Sequence, residues 1–316
     1  MTRIDTTASP RMLDVPTQLR YSEDYALENR RLVRLYEHAK RDQWNATQRL
    51  DWSIEVDPGR GVFSDELIGI HGSALWERLS PQQTERLRIE LLRWQLSQFL
   101  HGEQGALLAS AQIAQSAPGL EEKLCAATQV MDEARHTELF SRYLCEKVGP
   151  LTPLNPQLRY LLDRILEDPR WDMKLLGMQV IIEGLALANF TILRDATSEP
   201  LLRNLLDGVI EDEARHSAFG SLALKQICTD LTEPDRRERE DFIFDACRIL
   251  SGEIETRPIW ESVGLDPEEC MAIEHQSPGM QEYRQLLFSK VIPNLRSLGL
   301  LSDRLRERFE TLGLLI

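Results

Sequence analysis

The sequence lacks the patterns that mark several common classes of metal-binding and nucleic-acid-binding protein. Its five cysteines form no C-x-x-C pair, so neither a zinc ribbon nor an iron–sulfur cluster is indicated. Basic residues number 37 against 51 acidic ones, which gives a formal net charge of −14. Surfaces that bind nucleic acids carry clustered Lys and Arg. We therefore expect no nucleic-acid partner, and a solvated acidic surface accounts for most of the imbalance.

The sequence also shows no pattern typical of a membrane-spanning helix or a signal peptide. No uninterrupted apolar run approaches the roughly 18 residues that a membrane-spanning helix needs. The N-terminal stretch MTRIDTTASPRMLDVPTQ is polar and has no apolar signal core. These observations predict a cytoplasmic protein without membrane contact.

Long alternation of apolar and polar residues, typical of strands, is absent as well, and apolar spacings of three and four predict an all-α fold. We expect a flexible tail over residues 1–20, a helical domain over residues 21–230 and a helical extension over residues 231–316 that packs on the same core. The predicted helices cover residues 22–41, 81–117, 120–148, 156–167, 171–195, 200–230, 234–251, 266–275, 279–297 and 302–312.

The string Asp-Glu-Ala-Arg-His occurs twice, at residues 132–136 and 212–216. Residues at positions i and i+3 share one face of a helix, so Glu133 and His136 point the same way, as do Glu213 and His216. One such pair is common on an ordinary solvated helix surface. Two identical copies predict that both pairs belong to one site.

A single glutamate precedes the first copy of the string, and it lies as far before a predicted turn as the glutamate of the string lies after it. Glu103 lies fifteen residues before Pro118, and Glu133 lies fifteen residues after it. Pro118-Gly119 is a helix-breaking pair, which predicts an antiparallel helical hairpin. Fifteen helical residues span roughly 22 Å, so the two arms bring both glutamates to the same level.

The second copy has the same arrangement. Glu183 and Glu213 lie fifteen residues before and after Ser198, inside the polar turn ATSEP. Glu183 also lies within the apolar stretch VIIEGLALANF, where an unpaired carboxylate would cost several kcal/mol or be forced neutral. A bound cation removes that cost.

Four glutamates and two histidines form an oxygen-rich ligand set of total charge −4. Such a set suits two divalent ions such as Fe(II) or Mn(II) better than zinc or copper. We predict that Glu133 and Glu183 bridge the two ions and that Glu103 and Glu213 are terminal. The predicted metal ligands are Glu103, Glu133, His136, Glu183, Glu213 and His216.

Residues that orient the ligands are predicted from the same two strings. A metal-bound histidine usually donates its second ring N–H to a carboxylate. We predict that Asp132 accepts this bond from His216 and that Asp212 accepts it from His136. The arginines predicted to pair with the two aspartates, rather than to lie on the ordinary surface, are Arg135 and Arg215.

Apolar residues about one turn from a ligand are predicted to form a substrate pocket. An apolar wall beside a metal pair directs an oxidant at substrate rather than at solvent. Taken singly, each of these residues is more simply explained as bundle core. The predicted wall comprises Phe99, Leu100, Ala106, Leu107, Phe140, Ala186, Leu187, Phe190 and Val209.

At these motifs the sequence resembles the ferritin-like carboxylate-bridged di-iron superfamily, in the branch of oxygenases and ribonucleotide-reductase small subunits. Residues 102–140, GEQGALLASAQIAQSAPGLEEKLCAATQVMDEARHTELF, are similar to the first helix pair of multicomponent monooxygenase hydroxylases. VIIEGLALANF and IEDEARHSAFG are similar to the ligand-binding oxidases related to the reductase small subunit. The resemblance covers about residues 85–230.

The resemblance implies a ferritin-like four-helix bundle with additional N- and C-terminal helices. It implies a centre of two Fe ions, or of Mn and Fe, with O2 as co-substrate. Electrons would come from an external donor, such as a ferredoxin or a flavin reductase, because the chain has no flavin or haem motif. The expected substrate is a small, largely apolar organic molecule that is hydroxylated, desaturated or N-oxygenated.

The chain departs from each related subfamily. Phe140 stands where reductase small subunits have a radical tyrosine, and Leu187 stands where multicomponent hydroxylases usually have a threonine. Val209 stands where arylamine N-oxygenases add a third histidine. Met178 and Gly105 occupy the positions of the Tyr–Val ether crosslink in the ligand-binding oxidases. We therefore predict a distinct stand-alone oxygenase.

Two other functions fit the same ligands. A ferroxidase or iron-storage protein uses a similar site, although storage proteins are typically shorter bundles that assemble into cages. A non-catalytic metal pair would only hold the helices together. Iron stoichiometry separates storage from the enzyme, which binds about two ions per chain. Long amphipathic helices are also compatible with a homodimer.

Overall fold

A computed structural model describes residues 12–15, 18–21, 23–252 and 256–315. All regular elements within these ranges are helical, which confirms the predicted all-α fold. The tail predicted for residues 1–20 lies mostly outside the described residues. The helices, α1 to α14 in chain order, are Arg30–Arg41, Ala46–Arg49, Pro81–Ser116, Leu120–Tyr143, Pro156–Glu167, Trp171–Leu175, Glu183–Ala196, Pro200–Asp230, Glu233–Ser251, Arg257–Ser262, Pro267–Gln276, Pro278–Phe288, Val291–Ser297 and Asp303–Thr311. Short 3₁₀ turns occupy Asp65–Leu67 and Trp76–Arg78, and π-helical segments occupy Leu144–Val148 and Leu176–Ile182.

Two helical hairpins form the centre of the fold, as the spacing predicts. Helix α3 packs along α4, and α7 packs along α8. Ser80 and Gln83 form a capping box at the start of α3, which satisfies backbone N–H groups that have no partner within the helix. The Glu199 side chain caps α8 by accepting from the N–H groups of Leu201 and Leu202. Both turns therefore lie where the breaker residues place them.

Two clusters of buried apolar residues fill the bundle at different levels along the hairpins. The first lies nearer the Pro118 turn and includes Ile113 of α3 and Ala126 of α4. The second lies toward the far end of the first hairpin and includes Leu96 of α3 and Phe140 of α4. Polar residues of both hairpins are sandwiched between the clusters.

The N-terminal helix is shorter than predicted. Residues 22–41 were expected to be helical, but α1 begins at Arg30 and Ser22 lies outside the described residues. The Asn29 side chain caps the helix by accepting from backbone N–H groups, and the N–H groups of Glu28 and Asn29 donate to Glu121 of α4. These contacts fix the start of the helix at Arg30. Helix α1 then packs against α4 and α8.

The C-terminal helices pack against the same hairpins. Helix α12 contacts α7, and α9 contacts α5 and α14. The helix predicted over 279–297 is interrupted, since α12 ends at Phe288 and α13 begins at Val291. Pro293 explains the break, because proline is tolerated in the first turn of a helix but not in its interior. The short helix α10 was not predicted.

Helix α6, the π-helical segment Leu176–Ile182 and α7 form one helical run, Trp171–Ala196. By length and composition alone this run could cross a membrane, which the sequence expectation overlooked. However, 61% of its apolar window is buried inside the structure. Core helices of soluble proteins pass the same test, so the run is weak evidence for a membrane span.

Candidate metal centre

All six predicted ligands converge in the polar layer between the two apolar clusters. Helix α3 supplies one of them, α4 two, the start of α7 one and α8 two. Each has a relative exposure of 5% or less. The six are Glu103, Glu133, His136, Glu183, Glu213 and His216.

Three carboxylates surround one nitrogen of His136. Its Nδ1 lies 3.2 Å from Glu103 Oε2, 3.4 Å from Glu133 Oε2 and 3.2 Å from Glu213 Oε1. Potential ligand atoms of these four residues lie within 4.8 Å of one another. This group has the composition of one metal position.

A second group surrounds His216. Its Nδ1 lies 3.2 Å from Glu133 Oε1 and 3.6 Å from Glu213 Oε1. Glu183 completes a cluster with Glu133 and His216. The two groups share Glu133, so the arrangement has the form of a two-metal site.

The bridging roles predicted for Glu133 and Glu183 stay predictions, but the carboxylates nearest both histidines are those of the two repeated strings. Glu133 contacts both imidazoles, and Glu213 also contacts both. The reason is geometric. His136 lies on α4 and His216 on α8, and the glutamate three residues before each histidine lies on the same face of its helix. Glu103 and Glu183 approach from the flanks.

Several atoms of this group are buried without a hydrogen-bond partner among the described residues. They are Glu133 Oε2, Glu183 Oε2, Glu213 Oε2 and His216 Nδ1. Buried polar atoms in native proteins are almost always paired, and leaving them unpaired is costly. Metal ions would satisfy all four atoms, so the residues present fit a di-metal centre.

The electrostatics of the six clustered residues also favour the binding of positive charge. Burial raises the pKa of Glu103 and of Glu183 well above the usual range, and neighbouring carboxylates raise both further. The pKa of Glu133 lies well below its usual range, because His216 and His136 outweigh the effect of burial. Two bound cations would favour the ionised form of every carboxylate.

Each histidine is held from behind by the aspartate predicted for it. His136 Nε2 donates to Asp212 Oδ2 at 3.1 Å, and His216 Nε2 donates to Asp132 Oδ2 at 3.1 Å. The bonds cross between the hairpins, so each string orients the histidine of the other. With Nε2 so engaged, Nδ1 of each ring is directed at the carboxylates.

Both predicted arginines bind the aspartates, and neither is an ordinary surface residue. Arg135 Nη2 lies 2.5 Å from Asp132 and 2.7 Å from Asp212. Arg215 contacts the same two aspartates. Burial by itself would raise the pKa of Asp132 and Asp212, but the histidines and arginines lower both pKa values below the usual range.

Two residues that sequence reasoning missed complete this aspartate layer. Gln43 Nε2 donates to Asp132 at 2.8 Å, and Trp44 Nε1 donates to Asp212 at 2.9 Å. Both lie in the irregular segment between α1 and α2. Gly208 lets the Trp44 ring approach α8, because a Cβ there would lie 2.6 Å from the indole.

Two buried glutamines on the opposite side of the site were also missed. Gln129 Nε2 donates to Glu183 Oε1 at 2.5 Å and to Glu133 Oε1 at 3.0 Å. Gln179, in the π-helical segment, donates to Gln129 Oε1 at 3.3 Å. Gln129 lies four residues before Glu133 and therefore on the same helix face, which was an available clue.

A cavity of about 600 Å³ reaches the group directly, because Glu103, Glu183 and Glu213 form part of its lining. Four of the nine residues predicted for the pocket wall also line it. They are Phe99, Ala106, Ala186 and Phe190. The cavity extends from there to residues of α11 and α12.

The other five predicted wall residues do not line this cavity. Leu100, Phe140 and Val209 belong to the second buried apolar cluster, and Phe140 packs against the rings of Phe99 and Phe190. Leu107 and Leu187 are partly exposed elsewhere on their helices. Spacing of about one turn predicts nearness to a ligand but does not say on which side the side chain lies.

A family model decides the relationship. The model of the p-aminobenzoate N-oxygenase AurF matches residues 26–299. The chain belongs to the AurF family. The match extends well beyond residues 85–230, where the resemblance was first visible. None of the curated proteins compared with this chain matches it.

Solved structures support the same fold for this AurF-family protein. A point mutant of an R2-like ligand-binding oxidase, with an anaerobically reconstituted Mn/Fe cofactor, is 18% identical, with a TM-score of 0.53 over 85% of this chain and 94% of that one. A second mutant of such an oxidase, with the same cofactor, is also 18% identical, with a TM-score of 0.54 over 85% and 93%. The fold is thus a ferritin-like helical bundle of the di-iron oxygenase and oxidase branch.

Proposed function

We propose that this AurF-family protein is an O2-dependent oxygenase that holds two Fe ions, or Mn and Fe, and oxidises an organic molecule bound in the cavity. One observation carries the proposal. The cavity is lined at its inner end by three of the six metal-site carboxylates and imidazoles, Glu103, Glu183 and Glu213. A molecule in the cavity would therefore lie beside the metals without an intervening protein layer.

The side chains of this site have separable tasks. Four carboxylates of total charge −4 balance two divalent ions, which supply the electrons that reduce O2 when they are bound. Asp132 and Asp212 hold the imidazole N–H groups and so present the opposite ring nitrogens to the metals. Phe99 and Phe190 line the cavity near this end, and their apolar rings exclude water, so that substrate is the nearest oxidisable group.

The family description favours an arylamine as substrate and N-oxygenation as reaction. Hydroxylation and desaturation use the same kind of site and remain outcomes of the test. We include in the proposal a cytoplasmic location, an external electron donor such as a ferredoxin or flavin reductase, and no nucleic-acid or membrane partner. A homodimer is compatible with it.

The test loads the protein anaerobically with Fe(II), adds 4-aminobenzoate or aniline and then admits ¹⁸O2. We expect O2 uptake coupled to a product that contains ¹⁸O, measured by mass spectrometry. Glu183→Gln should abolish the coupled product, because it removes a metal-site carboxylate that also lines the cavity. Glu138→Gln, on an exposed position of α4, is the matched control and should behave as the unaltered protein.

The same preparation tests the ferroxidase alternative through its iron content. An enzyme of this kind binds about two ions per chain, whereas storage accumulates many more per assembly. Iron uptake far above that ratio, together with O2 uptake that never yields an oxygenated organic product, would contradict the proposal.

A further inference from the structure

The cavity is larger than a single substituted benzene ring requires. Its volume of about 600 Å³ lies in the range that holds drug-sized ligands. Its lining is mostly apolar, but polar side chains from several elements interrupt the wall, and three of these contact one another. They are Gln95 of α3, Asn189 of α7 and Tyr283 of α12.

These three side chains form one hydrogen-bonded group. Gln95 Nε2 donates to Asn189 Oδ1 at 2.8 Å, and the Tyr283 hydroxyl donates to the same oxygen at 3.0 Å. Burial raises the pKa of Tyr283, so its hydroxyl keeps the donated proton at neutral pH. Both bonds converge on a single acceptor, which fixes the two amide groups side by side.

The group leaves amide N–H donors and an amide acceptor unused. Among the described residues, Asn189 Nδ2 has no acceptor and Gln95 Oε1 has no donor. If both amide groups are rotated by 180°, Asn189 becomes the donor and Gln95 the acceptor of the bond between them. At least one donor and one acceptor still remain without a partner. Gln95 is only 8% exposed, and both side chains line the cavity. A molecule in the cavity can therefore bond to both free groups.

We propose that the substrate carries a secondary amide, or a group with the same paired donor and acceptor, and that Gln95 and Asn189 bind it. The substrate N–H donates to Gln95 Oε1, and the substrate carbonyl accepts from Asn189 Nδ2. This inference rests on the proposed function in taking the cavity as the substrate site, and it narrows the substrate class. A carboxylate offers only acceptors, so it would leave Gln95 Oε1 without a donor.

The test compares two probes of equal size in the iron-loaded protein under anaerobic conditions. Benzanilide has an amide between two rings, and phenyl benzoate has an ester oxygen in place of the N–H. Binding is followed by calorimetry and by the change in tryptophan fluorescence, to which Trp94 in the cavity wall contributes. We expect benzanilide to bind about tenfold more tightly, since the ester leaves one buried acceptor unpaired.

Two variants assign that preference to the polar group. Gln95→Met removes the acceptor while preserving length, and it should bring the two affinities to within about twofold. Asn189→Asp keeps the oxygen that accepts from Gln95 and Tyr283 but replaces the donor, so it should weaken both probes, because both present a carbonyl. Gln104→Met, exposed on the same helix, should leave the preference intact.

Equal affinities in the unaltered protein, a preference that survives Gln95→Met, or failure of both probes to bind would overturn the inference. None of these results depends on O2 chemistry. Coupled O2 uptake without any amide preference would leave the proposed function standing alone. An amide preference without O2 uptake would support this binding site and contradict the proposed oxygenase.

Discussion

The hairpins α3–α4 and α7–α8 carry the same Asp-Glu-Ala-Arg-His string on their second helix, yet their first helices differ. Helix α3 is α-helical on both sides of Glu103. In the other hairpin, the π-helical segment Leu176–Ile182 ends directly before Glu183. A π turn inserts an extra residue relative to α-helical geometry, so Gln179 reaches Gln129 across the bundle. Gly220 permits this approach, because a Cβ there would lie 2.6 Å from that of Gln179.

The two flanking glutamates, Glu103 and Glu183, also differ in their contacts. Glu103 contacts His136 through Oε2 at 3.2 Å. Glu183 has one oxygen held by Gln129, and its other oxygen has no hydrogen-bond partner in the part of the chain that the structure describes. The repeated strings thus build the shared centre of the site, and the unrepeated helices make its two halves unlike. Unlike halves would give two metal ions different surroundings.

Removing a shared carboxylate should have a larger effect than removing a flanking one. Glu133 contacts both histidines, so Glu133→Gln should reduce bound iron from about two ions per chain to nearly none, whereas Glu183→Gln should retain about one. Metal analysis after anaerobic loading and desalting measures both. Glu138→Gln serves as control, and equal losses in the two variants would contradict the assignment of shared and flanking roles.

The two arginines of the repeated strings should also differ in their effect. The Arg135 side chain is 3% exposed and the Arg215 side chain 13% exposed, although both contact Asp132 and Asp212. Arg135→Met leaves two buried carboxylates short of a partner, and we expect it to lower the free energy of unfolding by about 3 kcal/mol. Arg215→Met should cost roughly half as much, since water can partly replace its guanidinium.

Chemical denaturation of the metal-free protein measures this difference. The matched control is Arg237→Met, because Arg237 is 64% exposed and its loss should change the free energy by less than about 0.5 kcal/mol. If Arg215→Met proved as damaging as Arg135→Met, burial would not be the property that separates the two arginines.

Within the described residues, the amide of Gln129 that holds Glu183 has no counterpart at Glu103. Gln129→Leu keeps the side chain near its original size but removes the donor to Glu183 and Glu133. We expect about a tenfold loss of affinity for the iron on the Glu183 side and a smaller loss on the other side, as for other residues that orient a metal ligand. Competition with a chelator measures both binding steps. Gln104→Leu, exposed on α3, controls for the substitution, and equal weakening of both steps would argue against a stronger role on the Glu183 side.

The six converging positions were predictable because their placement depends on local rules. Helical periodicity puts each Glu–His pair on one face, and the two turns set the level at which Glu103 and Glu183 meet them. The same rules predict where a residue lies along the bundle axis, but they do not predict toward which neighbouring helix its side chain points. That is why spacing alone does not say which carboxylates lie nearest both histidines, and why Leu107 was predicted in the pocket wall but does not line the cavity.

Other features depend on tertiary contacts that no spacing rule contains. Trp44 follows α1 in an irregular segment, and its contact with Asp212 requires α1 to pack across α4 and α8. The helical run Trp171–Ala196 is largely apolar, so the spacing of its apolar residues does not reveal the π-helical turn before Glu183. Glu121 draws the backbone of Glu28 away from helical geometry, which shortened α1 relative to its apolar pattern.

The smallest expected difference lies between the two residues that reach the aspartates from this irregular segment. Trp44→Phe removes the indole N–H that donates to Asp212, and Gln43→Leu removes the amide that donates to Asp132. Each aspartate keeps its histidine and arginine partners, so we expect each variant to lower the free energy of unfolding by about 1 kcal/mol. Thermal unfolding of the metal-free protein provides the measurement. Gln48→Leu, exposed in the adjoining helix α2, should have no such effect. Because the two bonds occupy equivalent positions on a pseudo-symmetric pair of aspartates, a loss confined to one variant would show that the asymmetry of the flanking glutamates extends to the aspartate layer as well.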